Sequence, residues 1–141
     1  MIHLLDSLAH LAGGLFAGAS LYVIAVAHPV RASMAPDQTL LNFRRSLGKS
    51  ERIMPALHVV TLLTTAGLTW KIPSISNVTA LVLLAPILPL SIGVIMPINT
   101  ALRDPALDSD PANATPIFQR WIARQTIRAV LGILAFAAIC Y

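Results

Sequence analysis

The chain has 141 residues, of which 56% are hydrophobic and only 11% are charged. Soluble domains carry about 25% charged residues, so this composition excludes an ordinary water-soluble protein. The length and a mean hydropathy of +0.74 predict a single all-α domain, residues 1–141, in a lipid bilayer. The net charge of +4 does not indicate nucleic-acid binding, because the basic residues lie between apolar runs. The single cysteine, Cys140, excludes an internal disulfide and a multi-cysteine metal cluster.

Four apolar stretches predict a bundle of four transmembrane helices, at about residues 7–30, 53–70, 77–98 and 121–141. The first contains small residues at steps of four: Ala9, Gly13 and Ala17, with Gly14 and Gly18 beside them. This spacing lets helix backbones approach closely, so we expect the first helix to be central in the packing. The face formed by Gly14 and Gly18 would also suit a homo-oligomer.

The stretch between the first two predicted helices, residues 31–52, is basic and is predicted to be a long loop. Within it, residues 40–47 favour a short interfacial helix. The second helix has Pro55 in its first turn, where proline is tolerated, and Trp70 is a candidate interfacial anchor. The third helix contains several interruptions, which predict a kinked helix: Pro86, Pro89, Gly93 and Pro97.

The basic residues are distributed asymmetrically about the predicted helices. Five lie within residues 31–52, and Arg103, Arg120 and Arg124 flank the loop before the fourth helix, whereas only Lys71 lies on the other side. Cytoplasmic loops carry an excess of Lys and Arg, so both termini are predicted to be non-cytoplasmic. The topology then has a short outer hairpin and two longer cytoplasmic loops.

The fourth helix is expected to carry an arginine into the membrane. Only thirteen uncharged residues follow Arg128, whereas a spanning helix needs about 20. The span must therefore begin near Trp121, which draws Arg128 about 10 Å inward at 1.5 Å per residue. An arginine at depth costs at least about 2–3 kcal/mol unless it snorkels or is paired, so we interpret Arg128 as one pole of a polar site. A structural pairing with Glu51 or with helix-end carbonyls is the alternative.

Each predicted helix brings a polar residue to the same depth, near the cytoplasmic side. These residues are His28, His58, Asn99, Gln125 and Arg128. Their convergence predicts a binding or catalytic site. Each also has a structural interpretation: a solvated helix end for His28, a satisfied bundle histidine for His58, and an ordinary helix-end residue for Asn99. Tyr22, six residues before His28, is a candidate for packing or substrate contact.

The sequence does not name a cofactor. His28 and His58 are the only candidate pair that could hold a metal ion or a haem, and familiar metal sites need three or four ligands. No motif supports phosphate chemistry, thiol redox chemistry or a carboxylate proton relay.

Four short motifs resemble those of a known family. They are His28-Pro29, Arg52-Ile-Met-Pro55, Pro97-Ile-Asn99-x-x-Leu102 and Trp121-x-x-x-Gln125-x-x-Arg128. In this order they resemble the anthrone oxygenase-like small integral membrane proteins (DUF1772). The resemblance implies four membrane helices and, in some members, oxidation of an anthrone carbon to a quinone with dioxygen. Relatives often have His or Asn at the position that Gln125 occupies in this chain. If that residue binds a metal in relatives, this chain lacks the ligand. The resemblance therefore implies a polar contact at Gln125 and not metal binding. We expect a multi-pass integral membrane protein of the bacterial inner membrane.

Three classes of function remain after these observations. The first is a membrane oxidoreductase for a planar phenolic or quinone-like substrate, with His58, or else His28, as the base. Arg128, Gln125 and Asn99 would then hold the developing oxyanion, with Trp121 and Tyr22 contacting the substrate. The second is a non-enzymatic binding or assembly subunit, in which the same residues only lock the helices together. A small carrier is a weaker third option, because no repeat is visible between the two halves.

Overall fold

Residues 2–141 are described by a computed structural model. They form four helices: α1 (Ile2–Ala32), α2 (Pro36–Lys71), α3 (Ile75–Leu102) and α4 (Pro111–Cys140). By length and composition, each is able to cross a membrane. Residues 2–141 contain no β-strand, so the predicted all-α, four-helix bundle is confirmed. Each helix is longer than its predicted range.

The prediction of a long loop at residues 31–52 was wrong. α2 begins at Pro36, which leaves only residues 33–35 between the first two helices. At 1.5 Å per residue, α2 is about 54 Å long, well beyond the roughly 30 Å of a bilayer core. Leu40, Phe43 and Leu47 lie on one face of its basic first half and are buried against α3 and α4. This packing extends the helix beyond the apolar span. We call this end of the molecule, where α1 and α3 end and α2 and α4 begin, the basic end.

Arg44 attaches the loop between α3 and α4 to this first half of α2. Its Nε donates to the carbonyl of Leu102 (3.0 Å), and its Nη1 donates to Asp108 (2.5 Å). Nη2 donates to the carbonyl of Asp104 (2.7 Å). A single guanidinium therefore satisfies the end of α3 and orders the turn that follows, as arginine's fixed fork of donors allows.

Two helices change their winding where proline occurs. In α1 the turn Val23–Ala27 is a π-helix, and the N–H of His28 donates to the carbonyl of Val23. In α3 the turn Ser91–Ile95 is a π-helix in the same way. Each π-helical turn ends one residue before an X-Pro pair, His28-Pro29 or Met96-Pro97, because proline cannot donate the next α-helical bond. With a further break at residues 85–86, α3 is irregular at its prolines, as predicted.

Small residues bring α1 close to α2 and α4. Ala9, Gly13 and Ala17 are buried, and a Cβ on Gly13 would lie 3.2 Å from Phe136 and 3.4 Å from Thr61. The small residues thus allow the close approach that their spacing predicted. Gly14 also contacts Phe136 of the same chain, whereas a Cβ on Gly18 would meet nothing within 4 Å. A homo-oligomer through these glycines stays a prediction.

Candidate functional site

A cavity of about 200 Å³ lies between α1, α2 and α4 at the basic end. Most of its wall is apolar. Four of the predicted site residues line it: Tyr22, Trp121, Gln125 and Arg128. The other three, His28, His58 and Asn99, are buried but are not part of the lining. The complete lining is Tyr22, Val23, Ala27, Arg31, Phe43, Ser46, Leu47, Ser50, Met54, Trp121, Gln125 and Arg128.

Several buried polar atoms around this cavity have no hydrogen-bond partner within residues 2–141. They are Nε2 of His28, both ring nitrogens of His58, Oε1 of Gln125 and Nε of Arg128. Most buried polar groups in proteins are paired, so a cluster of unpaired ones at one site needs an explanation. These atoms retain the capacity to bind a small polar group or to exchange a proton.

The π-helical turn in α1 directs the side chain of His28 into the bundle. One extra residue in a helical turn rotates the following side chains by about 100° relative to an uninterrupted α-helix. Tyr22, before the turn, is 61% exposed, whereas His28, after it, is 5% exposed. The His28 ring meets the edge of Trp121 with 5.2 Å between ring centroids.

His58 lies on the buried face of α2, one turn beyond Met54 in the cavity wall. Its ring centroid is 5.5 Å from that of Phe16 in α1. Arg128 lines the cavity, whereas the two imidazoles are buried outside its lining.

A series of side-chain hydrogen bonds from α3 and α2 fixes the position of Trp121. The indole N–H of Trp121 donates to Oδ1 of Asn99 (2.7 Å), and Nδ2 of Asn99 donates to Glu51 (3.0 Å). Arg103 then pairs with the second oxygen of Glu51 at 2.5 Å. The amide of Asn99 is therefore engaged at both ends and orients Trp121. The alternative in which Arg128 pairs with Glu51 was wrong, because Glu51 pairs with Arg103.

Arg31 was predicted to lie in a loop and was not among the predicted site residues. In the structure it belongs to α1 and lines the cavity. Its Nε donates to Asn42 (2.9 Å) and its Nη2 donates to Ser46 (2.7 Å), both on α2. Its guanidinium carbon lies 6.0 Å from the centroid of Trp121, within the range of a cation–π interaction. A second cavity of about 190 Å³ shares Arg31 with the first. The sequence signal for Arg31 was its position three residues after His28, because residues three apart lie on the same face of a helix.

The part of the chain that the structure describes brings together too few donors for an ordinary metal site. Within residues 2–141, no three His, Cys, Asp or Glu side chains come together as a ligand set. Glu51, an acid at this end, is engaged by Asn99 and Arg103. His28 and His58 would supply two protein ligands at most, fewer than protein zinc sites use.

These features define a small four-helix membrane protein with a largely apolar cavity, lined by a few polar side chains, at the basic end of its bundle. The family model described as anthrone oxygenase matches residues 43–138. The chain belongs to this family, as its motifs predicted. The matched range includes His58, Asn99, Gln125 and Arg128 but not His28 or Arg31. No curated protein and no solved structure matches the chain.

Proposed function

We propose that this protein is a membrane oxygenase that oxidises a planar phenolic or anthrone-like substrate drawn from the bilayer. The observation that carries this proposal is the pair Gln125 and Arg128, whose unpartnered polar atoms belong to side chains in the wall of an otherwise largely apolar cavity. A largely apolar pocket with a few converging polar groups is the usual form of a small-molecule site. The family match supports the same class of reaction.

The proposed reaction begins with loss of a proton from the carbon next to the aromatic rings. The electron pair moves onto the carbonyl oxygen, and the guanidinium of Arg128 stabilises the resulting oxyanion. The unpartnered Oε1 of Gln125 accepts a hydrogen bond from a phenolic hydroxyl of the substrate. Dioxygen then accepts electrons from that carbon and forms a carbon–oxygen bond. The hydroperoxide that results loses water to give the quinone, so one oxygen atom of dioxygen enters the product and the other leaves as water.

His58 is the proposed base, and His28 is the second candidate. Both have unpartnered, buried ring nitrogens. Since neither histidine lines the cavity, the proton would reach the ring through intervening water. Asn99 supports the reaction by holding Trp121, and Tyr22 lies at the exposed edge of the cavity.

The test is turnover of anthrone by the purified protein in detergent, followed by oxygen uptake and quinone absorbance. Under labelled dioxygen, the quinone should gain one labelled oxygen atom. Arg128→Lys keeps the charge but loses the planar fork, so activity should fall about 10²–10³-fold, as when one oxyanion donor is removed. The matched control is Arg124→Lys, an exposed position on the same helix, which should keep full activity.

Histidine variants test the base. His58→Ala should lower turnover about 10²–10⁴-fold, the usual contribution of a general base, whereas His10→Ala at the opposite end should not. A visible absorption spectrum and metal analysis of the same sample detect any metal or haem that contributes. If the wild-type protein binds anthrone without consuming oxygen, the binding or assembly role is correct and the oxygenase proposal fails.

A further inference from the structure

Two arginines line the cavity, and neither has an acidic partner. Arg31 comes from α1 and Arg128 from α4, and the cavity lining contains no Asp or Glu. Within residues 2–141, the three ion pairs involve Arg44, Arg103 and His10, and so leave both lining arginines unpaired. Arg128 lies within the membrane-spanning helix α4, where a cation without a counter-charge is unfavourable. The cavity therefore favours an anion.

The donors left on these two side chains suit an anionic oxygen. Arg31 uses Nε and Nη2 to bind Asn42 and Ser46, and these bonds fix the plane of its guanidinium while Nη1 has no bond to residues 2–141. Arg128 has a buried Nε without a partner. Charge-assisted hydrogen bonds from guanidinium to oxygen anions are about twice as strong as neutral ones.

The rest of the wall suits an aromatic ring. Phe43 and Trp121 meet at right angles with 5.0 Å between centroids, and Leu47 and Met54 complete this apolar side. A cavity of about 150 Å³ accommodates benzene, so the 200 Å³ available here suits one or two fused rings. A longer ring system would extend past Tyr22, which is 61% exposed.

We infer that the cavity binds a planar aromatic anion, a carboxylate or phenolate, with its charged oxygen held jointly by Arg31 and Arg128. The inference rests on the proposed function, because the enolate that forms from an anthrone-like substrate after loss of its proton is an anion of this kind. It also assigns Arg31 a role in substrate binding that neither the sequence motifs nor the family match includes.

The probe is 2-naphthoate, and the neutral comparison is 2-naphthalenemethanol, which has nearly the same shape. Calorimetry in a non-ionic detergent should show binding of the anion and, at most, binding of the alcohol that is about thirtyfold weaker. Arg31→Gln and Arg128→Gln should each weaken 2-naphthoate binding by at least about thirtyfold, because each removes one partner of a desolvated charge. Arg45→Gln, an exposed site at the same end, is the control and should bind normally.

Several outcomes would overturn the inference. Equal binding of the acid and the alcohol would do so on the wild-type protein alone, even if a glutamine variant failed to fold. So would normal binding by either folded glutamine variant. The two proposals fail separately: 2-naphthoate binding without anthrone oxidation removes the oxygenase and keeps the anion site. If the protein oxidises anthrone but neither binds 2-naphthoate nor is inhibited by it, the anion-site inference is wrong and the oxygenase proposal stands.

Discussion

Trp121 and Asn99 join α4 to α3 through a buried hydrogen bond of 2.7 Å from the indole N–H to Oδ1 of the amide. Both side chains are at most 5% exposed. The bond orients an indole whose ring packs against Phe118 and Phe43 and lies beneath Arg31. Through this bond, Asn99 positions Trp121, which belongs both to the cavity wall and to the aromatic core of the basic end.

Replacing Asn99 should therefore loosen this wall. Asn99→Ala leaves the buried indole N–H of Trp121 without a partner, so the free energy of unfolding should fall by about 1–3 kcal/mol. Thermal unfolding in detergent measures the loss, and near-UV circular dichroism in a Trp70→Phe background isolates the signal of Trp121. Thr100→Ala, at the exposed neighbouring position, is the control. Similar losses for the two variants would contradict the proposed role of Asn99.

Two glycines on facing helices should respond in opposite ways to alanine. A Cβ on Gly132 would lie 2.5 Å from Cε1 of the buried Phe16, so Gly132→Ala should destabilise the protein by about 1–3 kcal/mol through overpacking. Gly18→Ala enters open space and should stabilise the helix by up to about 1 kcal/mol. Melting temperatures of the two variants make the comparison. Stabilisation of both would show that α1 and α4 pack less closely than described.

The ion pair between Glu51 and Arg103 should be detectable by a double-mutant cycle. Both side chains are partly exposed, at 33% and 47%, so their coupling should be about 0.2–1 kcal/mol. The same cycle with Glu51 and Arg128 should give coupling near zero, because the two do not pair. Denaturation of the single and double alanine variants measures both values. A larger coupling for the second pair would restore Arg128 as a structural counter-charge.

The orientation of the bundle can be tested with single cysteines in a Cys140→Ser background. Ser33 lies in the connection between α1 and α2, and Ser74 lies just before α3. The excess of basic residues near the first connection predicts that Ser33→Cys reacts with an impermeant maleimide only from the cytoplasmic side. Ser74→Cys should react only from the outer side. The reverse labelling pattern would invert the topology.

Length, hydropathy and local chemistry were enough to predict much of this fold. The four spans follow from apolar runs, the irregular α3 follows from its prolines, and the close approach of α1 follows from Ala9, Gly13 and Ala17. These properties depend on distance along a helix axis, which the sequence specifies directly.

Rotation about each helix axis was decided only by the tertiary structure. The π-helical turn before His28 shifts the following side chains by about 100°, and no periodicity in the sequence reveals such a shift. The sequence prediction used depth along the helices alone and therefore placed Asn99 and Gln125 in one site. In the structure Asn99 holds Trp121, whereas Gln125 lines the cavity. The extension of α2 back to Pro36 and the inclusion of Arg31 in the site likewise depend on contacts with other helices. Those contacts form only when distant parts of the chain pack together.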